Sequence, residues 1–182
     1  MYTEASGSYT EFSGNLSITA GNGGSGAISG GQFSYSIGVP TNLQTINFGD
    51  VFGDSPHNAS KSVRGLIINE FNINPGSSGQ NRVSYRQDTT TVQGSSFSGT
   101  TEIIYYVYVE EDVTVSGAGK TVAASIPLNK QRIYGSLNLA LKAGWNAVYH
   151  KQAESRPDAA QSAGTINYTY SLNNPSLKWV LN

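Results

Sequence analysis

Apolar side chains recur at every second position along much of this chain. Leu16 and Ile18 alternate with Asn15, Ser17 and Thr19, and Phe33, Tyr35 and Ile37 alternate with Ser34 and Ser36. A period of two sends successive side chains to opposite faces of a strand, so each run predicts a strand that is apolar inward and polar outward. Between them, Gly21-Asn22-Gly23-Gly24-Ser25-Gly26 reads as a flexible hairpin connection. Val113-Thr114-Val115-Ser116-Gly117 alternates in the same way. Ile133, Leu137, Leu139 and Leu141 share one parity, and Trp145 to His150 pairs back after the turn Lys142-Ala143-Gly144.

Two segments are apolar on both faces. Leu66 to Ile73 begins that way and alternates later, which predicts a central strand. Glu102-Ile103-Ile104-Tyr105-Tyr106-Val107-Tyr108-Val109 is the strongest such run and predicts a strand between two packed layers. Arg82 to Arg86 and Thr89 to Gln93 are weaker strand candidates, and Thr165 to Tyr170 and Leu177 to Leu181 close the chain. The pattern fails from Ile46 to Ser62, where Gly49, Asp50, Gly53, Asp54 and Pro56 predict a loop with a short helical turn. Only Gln152 to Ser162 carries a helical signal, and Pro157 in its middle reduces it to a loop with at most one turn of helix. About ten short strands with turn signals between them predict an all-β fold. An antiparallel β-sandwich over a single domain, 1–182, is expected, with a barrel as the alternative.

Composition agrees with this. Charged residues are 13% of the chain, about half the usual share, and the balance is Gly, Ser, Thr and Asn. With 11 Tyr, 6 Phe and 2 Trp and a net charge of −1, this is not a disordered chain. The 11 Lys and Arg make no basic stripe, so nucleic acid is not an expected partner. No Cys is present, which excludes disulfides, thiolate metal sites and Cys nucleophiles. No apolar run approaches the length needed to cross a bilayer as a helix. Met1 to Ser8 has neither the charged nor the apolar region of a signal peptide.

Candidate chemistry is sparse. His57 and His150 are far apart, without partners at metal-ligand spacing. Asp50 and Asp54, near Asn47 and Asn58, offer hard oxygen ligands for calcium in a glycine-rich loop, and Glu110, Glu111 and Asp112 offer a second such cluster. Each reads first as a solvated turn, and the second equally reads as a charged interruption that discourages edge-to-edge pairing. Trp145, Asn146, Tyr149 and Trp179 are the candidate ligand-binding residues, because exposed rings stack on sugars or small ligands. The structural alternative for the turn is that Gly144 takes a positive φ, Trp145 packs on the sheet and Asn146 satisfies loop backbone groups. No Ser-centred nucleophile elbow is present, and Gly119-Lys120-Thr121 lacks the upstream glycine of a phosphate-binding loop. An enzyme is not expected, and neither is a cofactor.

Three features, all between Glu102 and Lys151, carry a resemblance. They are the strand Tyr105-Tyr106-Val107-Tyr108-Val109, the run Asp112 to Gly117, and Leu137-Asn138-Leu139-Ala140-Leu141-Lys142-Ala143-Gly144-Trp145-Asn146-Ala147-Val148-Tyr149. This segment resembles a family of poorly characterised bacterial envelope proteins, secreted or lipid-anchored. The resemblance implies β architecture and a location outside the cytoplasm, in the periplasm or at the cell surface, and no reaction. Composition and the resemblance together favour a removed export signal, with a cytosolic protein as the other reading. The expected function is a structural or interaction module of the cell envelope, with an envelope protein or glycan as partner. A carbohydrate or small-ligand binding module is the alternative, and a glycosidase-like enzyme comes last.

Overall fold

A computed structural model describes residues 2–5, 8–11, 16–19, 25–30, 32–72, 82–123, 130–158, 163–173, 175 and 177–181. Side-chain environments are described for 25–30, 32, 34–71, 87–123, 130–158, 163–173, 175 and 177.

Among the described residues the regular structure is almost entirely strand. In order it forms β1 (Tyr2–Ala5), β2 (Ser8–Glu11), β3 (Leu16–Thr19), β4 (Ser25–Ser29), β5 (Gln32–Ser36) and β6 (Gln44–Thr45). A one-turn helix α1 (Gly49–Phe52) follows, then β7 (Asn58–Ala59), β8 (Arg64–Ile68), β9 (Phe71–Asn72), β10 (Arg82–Gln93) and β11 (Ser96–Val109). The remainder is β12 (Val113–Gly117), β13 (Lys120–Ala123), β14 (Lys130–Tyr134), β15 (Leu137–Leu141), β16 (Gly144–Arg156), β17 (Gly164–Ser171) and β18 (Lys178–Leu181).

A large sheet runs in the order β13-β14-β17-β16-β11-β10-β18-β1-β2, with β8 and β6 joining at the far half of β11 and β9 at β10. It is open at both ends, so the barrel alternative is not realised. Smaller sheets are β15-β12-β7 and β3-β4-β5. Most pairings are antiparallel, but β14 with β17 and β1 with β18 are parallel.

The sandwich core lies between the large sheet and β15-β12-β7. Alternation places it there. On β11 the odd positions Tyr105, Val107 and Val109 face Val113 and Val115 of β12 and Leu137, Leu139 and Leu141 of β15, with Val148 of β16 alongside. Among the described residues the two sheets share no ladder. What holds the small sheet down is therefore burial, worth about 1.5–3 kcal/mol for each such side chain. Phe48, Val51 and Phe52 of the α1 segment close one side of this core. The other face of β11 is covered too. Ile104 is buried, the Tyr106 ring meets Phe71 at 5.9 Å, and Phe71 meets Tyr35 of β5 at 4.4 Å. The two-faced apolar pattern of residues 102–109 thus has the structure it predicts, a strand between two layers.

Four expectations are corrected. The strands number more than ten. Leu16–Thr19 does not pair directly with Gln32–Ser36, because β4 sits between them and part of the glycine-rich connection becomes its start. Arg82–Arg86 and Thr89–Gln93 are one strand. Gln152–Arg156 is the end of β16, since pairing with β11 along 97–109 overrides the weak helical propensity of Ala153 and Glu154.

Candidate functional site

Beyond the small sheet, the core-facing side of the large sheet carries a row of aromatic rings. Register builds it. His150 of β16 faces Tyr170 of β17, and Tyr168, two residues earlier on the same face, lies in register with Tyr134 of β14. The rings stack in sequence: Tyr134 on Tyr168 at 4.9 Å and 16°, Tyr168 near His150 at 6.2 Å and 4°, His150 on Tyr170 at 4.7 Å and 13°. Phe52 ends the stack edge-on to Tyr170 at 5.1 Å.

Helix α1 stands opposite and leaves a groove of ≈ 270 Å³ between itself and these rings. The Asn47 side chain shapes the turn, accepting a bond from the Gly49 amide and donating one to Asp50, each at 3.1 Å. Tyr170 donates to the Phe52 carbonyl at 3.1 Å, which ties the helix to the sheet. At the rim, Arg132 of β14 lies 3.4 Å from Asp54 and bonds Tyr134.

The stacked rings shield one another's faces, and Tyr134, Tyr168, His150 and Tyr170 all line the groove. Its chemistry is therefore that of phenolic hydroxyls, one guanidinium and rim carboxylates. Burial pushes the Tyr170 hydroxyl up to about 12 and the His150 imidazole down to about 4. The His150 Nε2 is buried without a hydrogen-bond partner, so burial opposes its protonation with no bond to offset the cost.

That has a pH consequence. The folded value lies below the 6.5 of the free side chain. Between pH 6.5 and about 4 the unfolded chain takes up a proton that the folded one refuses. Stability falls across that window, by at most about 3 kcal/mol, and levels off below it. His150→Phe keeps the stack and removes the nitrogen. Its melting temperature is expected to fall less than the parent's between pH 6.5 and 4, as read by thermal denaturation across that range. Parallel curves for the two proteins refute the assignment.

The residues proposed from sequence are distributed differently. Asp50 and Asp54 lie on the groove rim, where Arg132 supplies positive charge from the chain itself. Glu110, Glu111 and Asp112 form the corner where the chain leaves the large sheet for the small one, and each is engaged by a separate cation. Glu110 takes Arg64 at 2.7 Å, Glu111 takes Lys61, and Asp112 takes Lys142 at 2.8 Å. The Arg64 guanidinium holds Glu110 below the usual carboxylate range. Lys142, with the Ala143 amide, does the same for Asp112. Among the described residues no three His, Asp or Glu side chains converge as a cation site requires.

Trp145 lies on the opposite face of the large sheet from the groove, as its odd position on β16 dictates. Its ring meets Tyr108 at 5.4 Å and its N–H donates to the Gly38 carbonyl at 3.0 Å. Asn146 closes the turn, accepting from the Lys142 amide at 2.9 Å and donating to the Lys142 carbonyl at 2.7 Å, while Gly144 sits at φ +100°. Tyr149 shares the Trp145 face and donates to Glu102; burial, and then the Glu102 carboxylate, raise its hydroxyl. Trp179 pairs with Tyr85 through its backbone, and its side chain lies outside the described environments. His57 and His150 are joined through rings, His57 to Phe52 at 5.6 Å and Tyr170 to His150 at 4.7 Å.

No protein-family model, curated protein or solved structure matches this chain.

Sequence reasoning missed Tyr134, Tyr168, Tyr170, Tyr105 and Arg132 as groove residues. The signal available was parity: Tyr168 and Tyr170 alternate with Asn167, Thr169 and Ser171, which marks one aromatic face on a strand.

Proposed function

We propose that this chain is a non-catalytic binding module that takes a polyhydroxylated ligand, a glycan, into the groove between helix α1 and the inner face of the large sheet. The observation that carries it is the parallel stack Tyr134–Tyr168–His150–Tyr170, which lines a concave site with three phenols and an imidazole. Faces already stacked are not open to a flat aromatic guest. Hydroxyl edges beside a guanidinium suit a ligand rich in donors and acceptors. Glycoside hydrolysis needs two carboxylates flanking the scissile bond, whereas Asp50 is bonded to Asn47 and Asp54 faces Arg132.

The same proposal puts the protein in the envelope or outside the cell, on the strength of its low charge and the resemblance over residues 102–151. Recovery of the native protein solely from the cytosol counts against that part.

The test is an array of neutral, uronic-acid and sulfated glycans probed with the labelled full chain. Retention of neutral glycans is expected. Tyr168→Phe and Arg132→Gln should each weaken it about five- to tenfold, the loss of one or two hydrogen bonds, with circular dichroism unchanged. A folded protein retained by no glycan overturns the proposal.

A further inference from the structure

The inner face of the large sheet does not stop at the aromatic groove. In the core cluster β11 contributes only Tyr105, Val107 and Val109, so the small sheet covers only that half of the strand. The register sets out what stands on the other half. Gln152 faces Tyr168 across β16 and β17, Thr101 faces Gln152 across β11 and β16, and Asp88 faces Thr101 across β10 and β11. One row further on, Glu154 stands between Ile166 and Gly99, with Thr90 beyond Gly99. Residues directly opposite in a ladder share a face, so both rows point to the same side as His150 and Tyr170. Asp88, Thr90, Gly99, Thr101, Gln152 and Glu154 of these rows line a second concavity of ≈ 280 Å³, and the Phe97 ring lies over Gly99, 3.1 Å from where a Cβ would stand.

We infer that this concavity is a second subsite of the same trough and binds further units of one neutral oligosaccharide. The inference rests on the groove being a glycan site. Three observations support the extension. The first is continuity. Gln152 of the second concavity and Tyr168 of the groove are cross-strand neighbours, about 5 Å apart at their Cβ atoms. From His150 to Arg156 the trough follows β16 for six residue steps, about 20 Å at strand rise.

The second is lining chemistry. Thr90, Thr101 and Gln152 offer hydroxyls and an amide, groups that match sugar hydroxyls as donors and acceptors. The third is charge balance. Glu154 sits between Lys130 at 2.6 Å and Arg156 at 3.2 Å, all three at most about a quarter exposed, and Asp54 faces Arg132. An anionic ligand would have to break one of these pairs and would meet Asp88 on the same lining, which favours a neutral ligand over an anionic one. The far end is closed by the Arg156 guanidinium, stacked 4.0 Å over the Phe97 ring.

The experiment is calorimetric titration of the full chain with a length series, two to six units, of whichever neutral glycan the array retains. Affinity is expected to rise about tenfold or more from two units to the longest that the trough holds. Gln152→Ala combined with Thr101→Val should cost about tenfold for six units and less than twofold for two, the loss of one or two hydrogen bonds confined to the extension. Arg132→Gln, in the groove, should weaken all lengths alike. Equal affinity at every length, or a double variant that loses equally at two and six units, removes the second subsite and leaves the groove reading standing. Tighter binding of a uronic-acid series than of its neutral counterpart removes the neutral assignment. Failure to retain any glycan removes both.

Discussion

Phe52→Ala lowers the stability of the fold by about 3–5 kcal/mol, the cost of emptying an aromatic site in a close-packed core. For a domain of this length that is a drop in melting temperature of about 6–20 °C. Phe52 is 1% exposed and belongs to the cluster between the two sheets. Its ring touches Phe48 at 6.1 Å, His57 at 5.6 Å and Tyr170 at 5.1 Å. A four-residue helix cannot hold itself together by its own hydrogen bonds, because nucleation alone is unfavourable. The burial of Phe48, Val51 and Phe52 is what keeps α1 folded against the sheet. Removing the Phe52 ring should therefore cost ligand binding as well as stability, since α1 is one wall of the groove. Thermal denaturation and glycan titration of the same variant test both. A midpoint within about 2 °C of the parent would contradict the packing account.

Gly117→Ala is the second large effect, and its cause is the opposite one. Gly117 ends β12 where the loop leading into β7 crosses it. A Cβ there would stand 1.8 Å from the Pro56 carbonyl oxygen and 2.8 Å from its carbon. Both are backbone atoms, so no side chain can swing aside. The loop itself must move, and with it the pairing of Ser116 with Asn58 and Val115 with Ala59. Overpacking of a well-filled site costs about 1–3 kcal/mol, and a backbone obstacle puts this position at the upper end. The expected outcome is a loss of about 3 kcal/mol in denaturant unfolding. Gly119→Ala, whose Cβ would meet the Tyr134 oxygen at 3.1 Å, should lose distinctly less. Equal losses at the two positions would mean that the close approach at Gly117 is not what matters.

The fold was legible where alternation was clean and local. Val113 and Val115 alternate with Thr114 and Ser116, and Leu137, Leu139 and Leu141 with Asn138 and Ala140. These strands pair in the register those parities require, Val113 with Leu141 and Val115 with Leu139. The turn at Gly144 to Asn146 was legible for the same reason, its chemistry being confined to five neighbouring residues.

The groove was not legible. Tyr134 and Tyr168 are 34 positions apart and meet only because β14 and β17 run parallel, a pairing that nothing local specifies. Attention went to Trp145 because tryptophan is rare and large. Parity sends that ring to the face opposite the groove, where Gly38 and Tyr108 occupy it. The acidic run Glu110 to Asp112 suggested a metal because its partners, Arg64, Lys61 and Lys142, lie 30 to 50 positions away. Charge clusters read as ligand sets when their counter-ions come from distant sequence.

The parallel pairing of β1 with β18, Tyr2 beside Val180, joins positions 178 residues apart. Among the described residues the hairpin β1–β2 reaches the large sheet only through β18, which itself docks on β10. Closing so long a stretch of chain costs entropy that no local contact offsets, so this margin is expected to join the sheet late in folding. A substitution that displaces β18 from β10 should set the β1–β2 hairpin adrift along with it.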